Sequence, residues 1–113
     1  MSMTAIAQKL EAIREKASLR SSDIAQVLEA TPETVSRWNQ GKAVPHPRTQ
    51  QRILELEYIA DQLSDLFKPD ESRLWLYSPQ KLLNHKTPAF LVQQGKAAEV
   101  IDLIAKLNDG VYL

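Results

Sequence analysis

A short run of polar residues follows Thr31 and Pro32 in a pattern that can read nucleic-acid bases. The apolar Val35 and Trp38 are spaced to face a core, so the residues between them would lie on the outer face of one helix. Ser, Thr, Glu and Arg side chains exchange hydrogen bonds with base edges in the DNA major groove, chiefly near the N-terminal end of a helix. The outward residues are Glu33, Thr34, Ser36 and Arg37.

Basic residues continue this pattern while the chain as a whole is neutral. There are 14 basic and 14 acidic residues, which argues against a purely electrostatic nucleic-acid binder. No acid occurs between Glu33 and Glu55, however, and that stretch holds Arg37, Lys42, His46, Arg48 and Arg52. A local patch that contacts phosphates is therefore compatible with zero net charge.

The last residues form a second unusual pattern. After Asp109 and Gly110 come Val111, Tyr112 and Leu113, which are apolar or aromatic, whereas chain termini are usually polar and frayed. In one interpretation Tyr112 enters a pocket of a partner protein, edged by Lys106, Asn108 and Asp109. In the other, Tyr112 packs on the core of its own chain, against Trp75.

No arrangement of residues predicts an enzyme, a metal site or a cofactor. The chain has no cysteine, no glycine-rich phosphate loop and no Ser/His/acid spacing. His46 lies between prolines and His85 beside a lysine, and neither has a carboxylate within a helical turn. No apolar run suits a signal peptide or a membrane span, so we expect a cytoplasmic protein.

Residues that typically begin or end helices recur along the chain and predict an all-α fold. The first helix carries Ile6, Leu10, Ile13 and Ala17 at spacings of three and four. A second runs from Ser22 to Leu28 with Ser21 or Ser22 as its N-cap. A third begins at Thr31-Pro32 and ends at Gly41, residues 42–47 form a loop, and the longest helix spans Thr49–Phe67.

Shorter helices are predicted in the second half. They begin at Asp70, at Ser78-Pro79 and at Thr87-Pro88, and Gly95 ends the last of these three. A final helix covers 97–108 and ends at Asp109-Gly110. Trp38 and Trp75 fall on inner faces and are predicted to be core residues.

The first half resembles the Xre/Cro-type helix-turn-helix domain over about residues 6–60. The resemblance depends on Ile24-Ala25, the turn before Thr31, and the spacing of Val35, Trp38 and Gly41. Two positions depart from the family pattern. Ser21 replaces a glutamine that often contacts DNA, and Glu29 replaces the usual turn glycine. The resemblance implies a homodimer on operator DNA, contacted by Ser21, Ser22, Glu33, Thr34, Ser36, Arg37 and Lys42.

The second half is similar to the toxin-binding module of the MbcA/ParS/Xre antitoxins. The matching residues, in order, are Trp75-Leu76, Ser78-Pro79, Leu82-Leu83, Thr87-Pro88, Leu91, Gly95, Val100, Leu103 and Gly110. This family implies a helix-turn-helix region over 1–67 and a toxin-binding module over 68–113. The implied partner is a RES-domain toxin that consumes NAD and whose active site the C-terminal part blocks. The implied toxin contacts are Lys106, Asn108, Asp109, Gly110, Val111, Tyr112 and Leu113.

Two other functions stay open at this point. The chain could be a stand-alone Xre-type repressor whose C-terminal half serves only for dimerisation. It could also be an antitoxin that has lost DNA binding and keeps its first half for assembly. Our main expectation remains an antitoxin that also represses its own operon, since toxin neutralisation and repression can coexist.

Overall fold

The computed structural model describes residues 4–110, and nearly all regular structure in that range is helical. The predicted all-α class is confirmed. The helices are α1 (Ala5–Ala17), α2 (Ser21–Val27), α3 (Pro32–Asn39), α4 (Pro47–Ser64), α5 (Pro69–Leu76), α6 (Pro88–Gln93) and α7 (Ala97–Asn108). One turn of 3₁₀ helix spans Lys81–Leu83 between α5 and α6.

Threonine–proline pairs start helices as predicted. The Thr31 hydroxyl accepts from the Thr34 amide at 3.1 Å, and the Thr87 hydroxyl accepts from the Phe90 amide at 3.2 Å. In both helices the proline takes the first position, where an amide N–H would have no partner. These caps fix where α3 and α6 begin.

The predicted cap of α2 is wrong. Neither Ser21 nor Ser22 precedes the helix, because Ser21 is already its first residue and Arg20 is the N-cap. The Asp23 carboxylate accepts from the Arg20 amide at 2.8 Å, so the third helical residue satisfies the cap instead. The longest helix also differs slightly: Pro47 allows it to begin two residues early, and the Phe67 amide donates to Leu63 in a closing turn.

A helix beginning at Ser78-Pro79 is also wrong. The Ser78 hydroxyl donates to the Leu74 carbonyl at 2.6 Å, so it ends α5 rather than opening a new helix. Asn84 and His85 both have positive φ, which bends the chain back. As a result the Gln80 amide donates to the Lys86 carbonyl at 3.1 Å, and only the single 3₁₀ turn fits inside this loop.

One hydrophobic core runs through the described helices. The long α4 packs against α1 on one side and α7 on another, while α5 packs against α1 and α6 against α2. Trp38 is buried as predicted, and Trp75 is half-buried at the edge of the core. The largest fully buried side chains come from both halves of the chain: Leu10, Ile13, Ile24, Val27, Val35, Ile53, Leu56, Ile59, Leu63, Leu76, Leu91 and Ile104.

An ion pair adds a polar link between α2 and α5. The two terminal guanidinium nitrogens of Arg73, Nη1 and Nη2, donate to the two carboxylate oxygens of Asp23, the longer bond measuring 3.2 Å. The guanidinium also lies 5.3 Å from the ring centroid of Tyr77. This pair and the shared core hold residues from both sides of position 67 together. The division into 1–67 and 68–113 stays a prediction.

Candidate functional site

The outer face of α3 presents most of the residues predicted to contact DNA. Glu33, Ser36 and Arg37 are exposed, whereas Val35 on the opposite face is buried. Thr34 is half-buried, and its hydroxyl lies 2.9 Å from that of Thr31. The Thr34 hydroxyl is thus part of the helix cap. The three exposed side chains, Glu33, Ser36 and Arg37, are the ones that remain available for contacts.

Lys42 lies beside this face because of the turn that ends α3. Gly41 has φ of 72°, a left-handed conformation that favours glycine. The turn lets the Lys42 amide donate to the Arg37 carbonyl at 2.9 Å, so Lys42 follows directly beyond the end of the helix and is exposed. At the start of α2, Ser21 is half-buried and Ser22 exposed.

The α2–α3 connection contains a residue in an unusual conformation. Glu29 has φ of 55°, and the next amide, that of Ala30, donates to the Ala25 carbonyl at 2.8 Å. Glu29 therefore adopts the left-handed geometry that glycine would adopt more easily. Its carboxylate contacts the Arg52 guanidinium at 3.3 Å. Arg52 is thereby paired, and the exposed cations of the basic stretch are Arg37, Lys42 and Arg48.

The end of α7 carries four of the residues predicted to contact the toxin. Lys106, Asn108, Asp109 and Gly110 are all exposed. One face of the same helix is anchored by Val100, Leu103 and Ile104, which are buried. Val111, Tyr112 and Leu113 lie outside the described residues, so both interpretations of the tail stay predictions.

Sequence reasoning missed an apolar surface on α5. Leu74 is 70% exposed although its neighbour Leu76 is buried. It lines a shallow groove of about 300 Å³ together with Phe67, Glu71, Trp75, Ser78 and Gln80. A signal was present in the sequence: the three consecutive apolar residues Leu74, Trp75 and Leu76 cannot all face one side of a helix.

Two ion pairs of the described residues differ in burial: Asp23–Arg73 is half-buried, whereas Lys16–Asp61 is more exposed. The Arg73 guanidinium, through its hydrogen bonds, holds the pKa of Asp23 below its ordinary value, against the opposing effect of burial. At the α1–α4 contact, the Lys16 amine donates to Asp61 at 2.6 Å, and this bond raises the pKa of Lys16. Neither pair lies on the α3 face or at the end of α7, so both stabilise the fold rather than form a site.

Two further features bear on the kind of site. Within residues 4–110, no three side chains of the types that ligate metals lie close enough together to hold an ion. None of the helices in that range is both long and apolar enough to cross a lipid bilayer.

Comparison with known proteins finds antitoxins. No family model matches the chain. It is 33% identical, over all 113 residues and the whole of each relative, to the mycobacterial cidal antitoxin MbcA of Mycobacterium tuberculosis and to that of Mycobacterium bovis.

A solved structure agrees with these relatives. With a TM-score of 0.87 and 33% identity, 97% of this chain superposes on 99% of a chain in the crystal structure of the M. tuberculosis MbcT–MbcA toxin–antitoxin complex. Because both the sequence and the arrangement of helices match over essentially the full length, this chain belongs to the family of MbcA antitoxins, which are not enzymes.

Proposed function

We propose that this antitoxin neutralises a RES-domain toxin that degrades NAD, and that its C-terminal segment blocks the toxin's active site. The observation that carries the proposal is the full-length match to a chain of the MbcT–MbcA complex. The exposed last turn of α7 supports it, since Lys106, Asn108 and Asp109 lead directly into the apolar Val111–Leu113 segment.

The chemistry of that segment suits a dinucleotide site. An enzyme that binds NAD must hold two phosphates with cationic or N–H donors and must accommodate planar rings. The Asp109 carboxylate can pair with the same cations, and the Tyr112 ring offers a large rigid contact at low entropic cost. The segment would thus compete with the substrate for the groups that recognise it.

Deletion of residues 110–113 tests this proposal. The shortened chain keeps the buried residues of α7 and should unfold at nearly the same temperature as the full chain. Co-expressed with its cognate toxin, the shortened chain should leave NAD consumption uninhibited. Tyr112→Ala should weaken inhibition and the matched Tyr112→Phe should retain it. A shortened chain that inhibits fully would contradict the proposal.

We also infer that α3 contacts operator DNA and that the antitoxin represses its own operon as a homodimer. The supporting observation is the exposure of Ser36, Arg37 and Lys42 on one side of α3 and its closing turn, opposite the buried Val35 and Trp38. A helix held in this way can enter the major groove while its inner face keeps the fold. Exposed cations next to it suit phosphate contacts.

Arg37→Ala tests the DNA contact. Loss of a base contact should weaken operator binding by about 1–3 kcal/mol, and loss of a phosphate contact should reduce the slope of log affinity against log salt by about 0.9. Lys86→Ala is the matched control, since Lys86 is an equally exposed cation in the loop after the 3₁₀ turn. Unchanged affinity and slope in Arg37→Ala would remove α3 from the interface. Inhibition of the toxin should be unaffected by either variant.

A further inference from the structure

The outward face of α4 carries two large apolar side chains that the chain leaves uncovered. Leu54 is 45% exposed and Tyr58 is 49% exposed, and among the exposed large apolar residues of the described range these two alone share a helix. Since they are four positions apart, they lie one turn from each other on the same face. Because Leu56 and Ile59 on the inner face are buried, the core side of α4 is complete without the outward pair.

Two further exposed residues extend this pair along the helix. Pro47 and Gln51 precede Leu54 and Tyr58, so that the four positions advance by four, three and four residues. This spacing keeps side chains in line along one face, and it is the spacing at which two helices pack side by side. We call Pro47, Gln51, Leu54 and Tyr58 the outer stripe of α4.

Two charged residues flank the outer stripe on the same side. Arg48 is exposed and Glu55 is half-buried. Each follows a residue of the stripe, Pro47 or Leu54, by one position, so both side chains project to the same side of it. Within residues 4–110 neither forms an ion pair, although they lie only about 10 Å apart along the helix axis. Arg48 and Glu55 are therefore opposite charges that no ion pair of the described residues neutralises.

The other charges of α4 have partners within the chain. Three of them form ion pairs with neighbouring elements: Arg52 with Glu29, Glu57 with Lys9 and Asp61 with Lys16. Asp65, the C-cap, lies beyond the outer stripe and acts on Lys16 at longer range. The flanking pair is thus the charge that remains available beside the stripe.

Arg48 also lies at the less favourable end of its helix. A cation stabilises a helix near the C-terminus and opposes the helix dipole near the N-terminus. The first turns of α2, α3, α5 and α7 each contain an acid, whereas the first turn of α4 contains none and holds Arg48. A carboxylate from outside the chain would offset this repulsion, so the start of α4 favours an acidic partner.

These features select a second copy of the chain as the occupant of this face. When two identical helices pack antiparallel about a two-fold axis, flanking positions on the same side of the line of contact face each other. An axis midway between Arg48 and Glu55 brings Arg48 of each chain against the partner's Glu55, so the ion pair forms twice. DNA would instead bring negative charge against Glu55 and is disfavoured.

We propose that the antitoxin forms its homodimer by antiparallel packing of α4 on α4, through the outer stripe and the two flanking ion pairs. In this register Leu54 packs against the partner's Gln51 and Tyr58 against the partner's Pro47, so both uncovered apolar side chains become buried. The inference rests on the proposed function, since it names the surface through which the proposed homodimer forms. It uses neither the outer face of α3 nor the end of α7, which stay free for DNA and toxin.

Charge reversal tests the register in the purified antitoxin, without toxin or DNA. Arg48→Glu and Glu55→Arg each place like charges opposite each other, and each should raise the dimer dissociation constant about tenfold or more in sedimentation equilibrium. An equimolar mixture of the two variants should recover dimers, because the mixed dimer has opposite charges at both contacts. The double variant should recover them for the same reason. Lys42→Glu reverses another exposed cation and should self-associate as the native chain does.

Leu54→Glu tests the apolar part of the interface. Because it places a charge in the middle of the outer stripe, it should also weaken the dimer about tenfold or more. Leu74→Glu makes the same change at an exposed position of α5 and should leave self-association unchanged. Thermal unfolding checks that each variant keeps the fold, and Arg48→Glu, at a fully outward position, carries the test if Leu54→Glu does not fold.

The outcomes separate this inference from the proposed function. A native chain that stays monomeric at every concentration would refute the proposed homodimer and this inference together, while inhibition of NAD consumption is measured independently. A native dimer that neither Leu54→Glu nor the charge reversals weaken would refute only the α4 surface. Weaker dimers of the single variants without recovery in their mixture would refute the antiparallel register. Unchanged self-association of Leu54→Glu with weaker toxin binding would assign the outer stripe to the toxin and overturn the proposal.

Discussion

Replacing Asp23 by asparagine should lower the free energy of unfolding by about 2 kcal/mol. The Asp23 side chain is only 14% exposed and accepts hydrogen bonds from Arg73 and from the Arg20 amide. Hydrogen bonds to charged groups contribute about 1.5–3 kcal/mol. Since Arg73 stays 34% exposed and can regain water, the loss should lie in the lower half of that range. Asparagine keeps the shape and one acceptor oxygen, so the change removes the charge together with one of the two hydrogen-bond acceptors.

Thermal unfolding followed by circular dichroism measures this loss. Unfolding entropy is about 2.1 cal/mol/K per residue, so for 113 residues a loss of 2 kcal/mol lowers the midpoint by about 8 °C. Asp61→Asn is the matched control: its partner Lys16 is equally close, but the two side chains are 50% and 40% exposed. An exposed pair contributes about 1 kcal/mol or less. Equal losses in the two variants would refute the assignment of Asp23–Arg73 as the link between α2 and α5.

The same ion pair predicts a pH dependence with a definite sign. Because Arg73 lowers the pKa of Asp23 in the folded state, the unfolded chain takes up a proton first as the pH falls. The contribution is therefore complete above the unfolded value near 3.8 and is lost as the pH falls toward the lowered folded value. The difference between the native chain and Asp23→Asn should be constant from about pH 5 to 8 and should shrink below pH 4. A difference that persists unchanged at pH 2 would show that the charge is not its cause.

The remaining predictions concern one buried hydroxyl and one strained backbone position. Ser72 is fully buried, and its hydroxyl has no hydrogen-bond partner within the described part of the chain, so Ser72→Ala should leave stability unchanged or raise it by up to about 1 kcal/mol in urea unfolding. A clear loss there would mean that the hydroxyl is bonded. At position 29, where φ is 55°, Glu29→Gly should be more stable than Glu29→Ala by about 1 kcal/mol, because both lose the contact with Arg52 but only alanine keeps the left-handed strain. Equal midpoints for these two variants would contradict the strained turn.

The elements that the sequence predicted well are those whose causes lie within a few residues. The Thr31 and Thr87 caps each join a side chain to an amide three positions later, and Gly41 acts at its own backbone position. Such signals can be read one helix at a time. The outward face of α3 was predictable for the same reason, since the buried Val35 and Trp38 fix which residues remain outside.

The wrong predictions of helix starts fall at serines, because a serine side chain can form hydrogen bonds at either end of a helix. Serine before proline can open a helix, but Ser78 instead donates back to Leu74 and closes the preceding one. Likewise, a serine that precedes a helix can act as its N-cap. At α2 the N-cap is Arg20, and the carboxylate of Asp23, three residues after Arg20, accepts from the Arg20 amide. The sequence contains both options in each case, and only the path of the chain decides between them.

What could not be predicted depends on which helices meet. Asp23 and Arg73 are 50 residues apart, and no local pattern pairs them. Leu74 is exposed because α5 turns Ser72 and Leu76 toward the core, a choice made by its packing against α1 and α4 rather than by the hydrophobicity of α5 itself. The same packing determines what is left for partners. Because α4 contacts both α1 and α7, and α1 contacts α3, one packed core positions both the outer face of α3 and the end of α7, and a substitution within that core should disturb both proposed contact surfaces together.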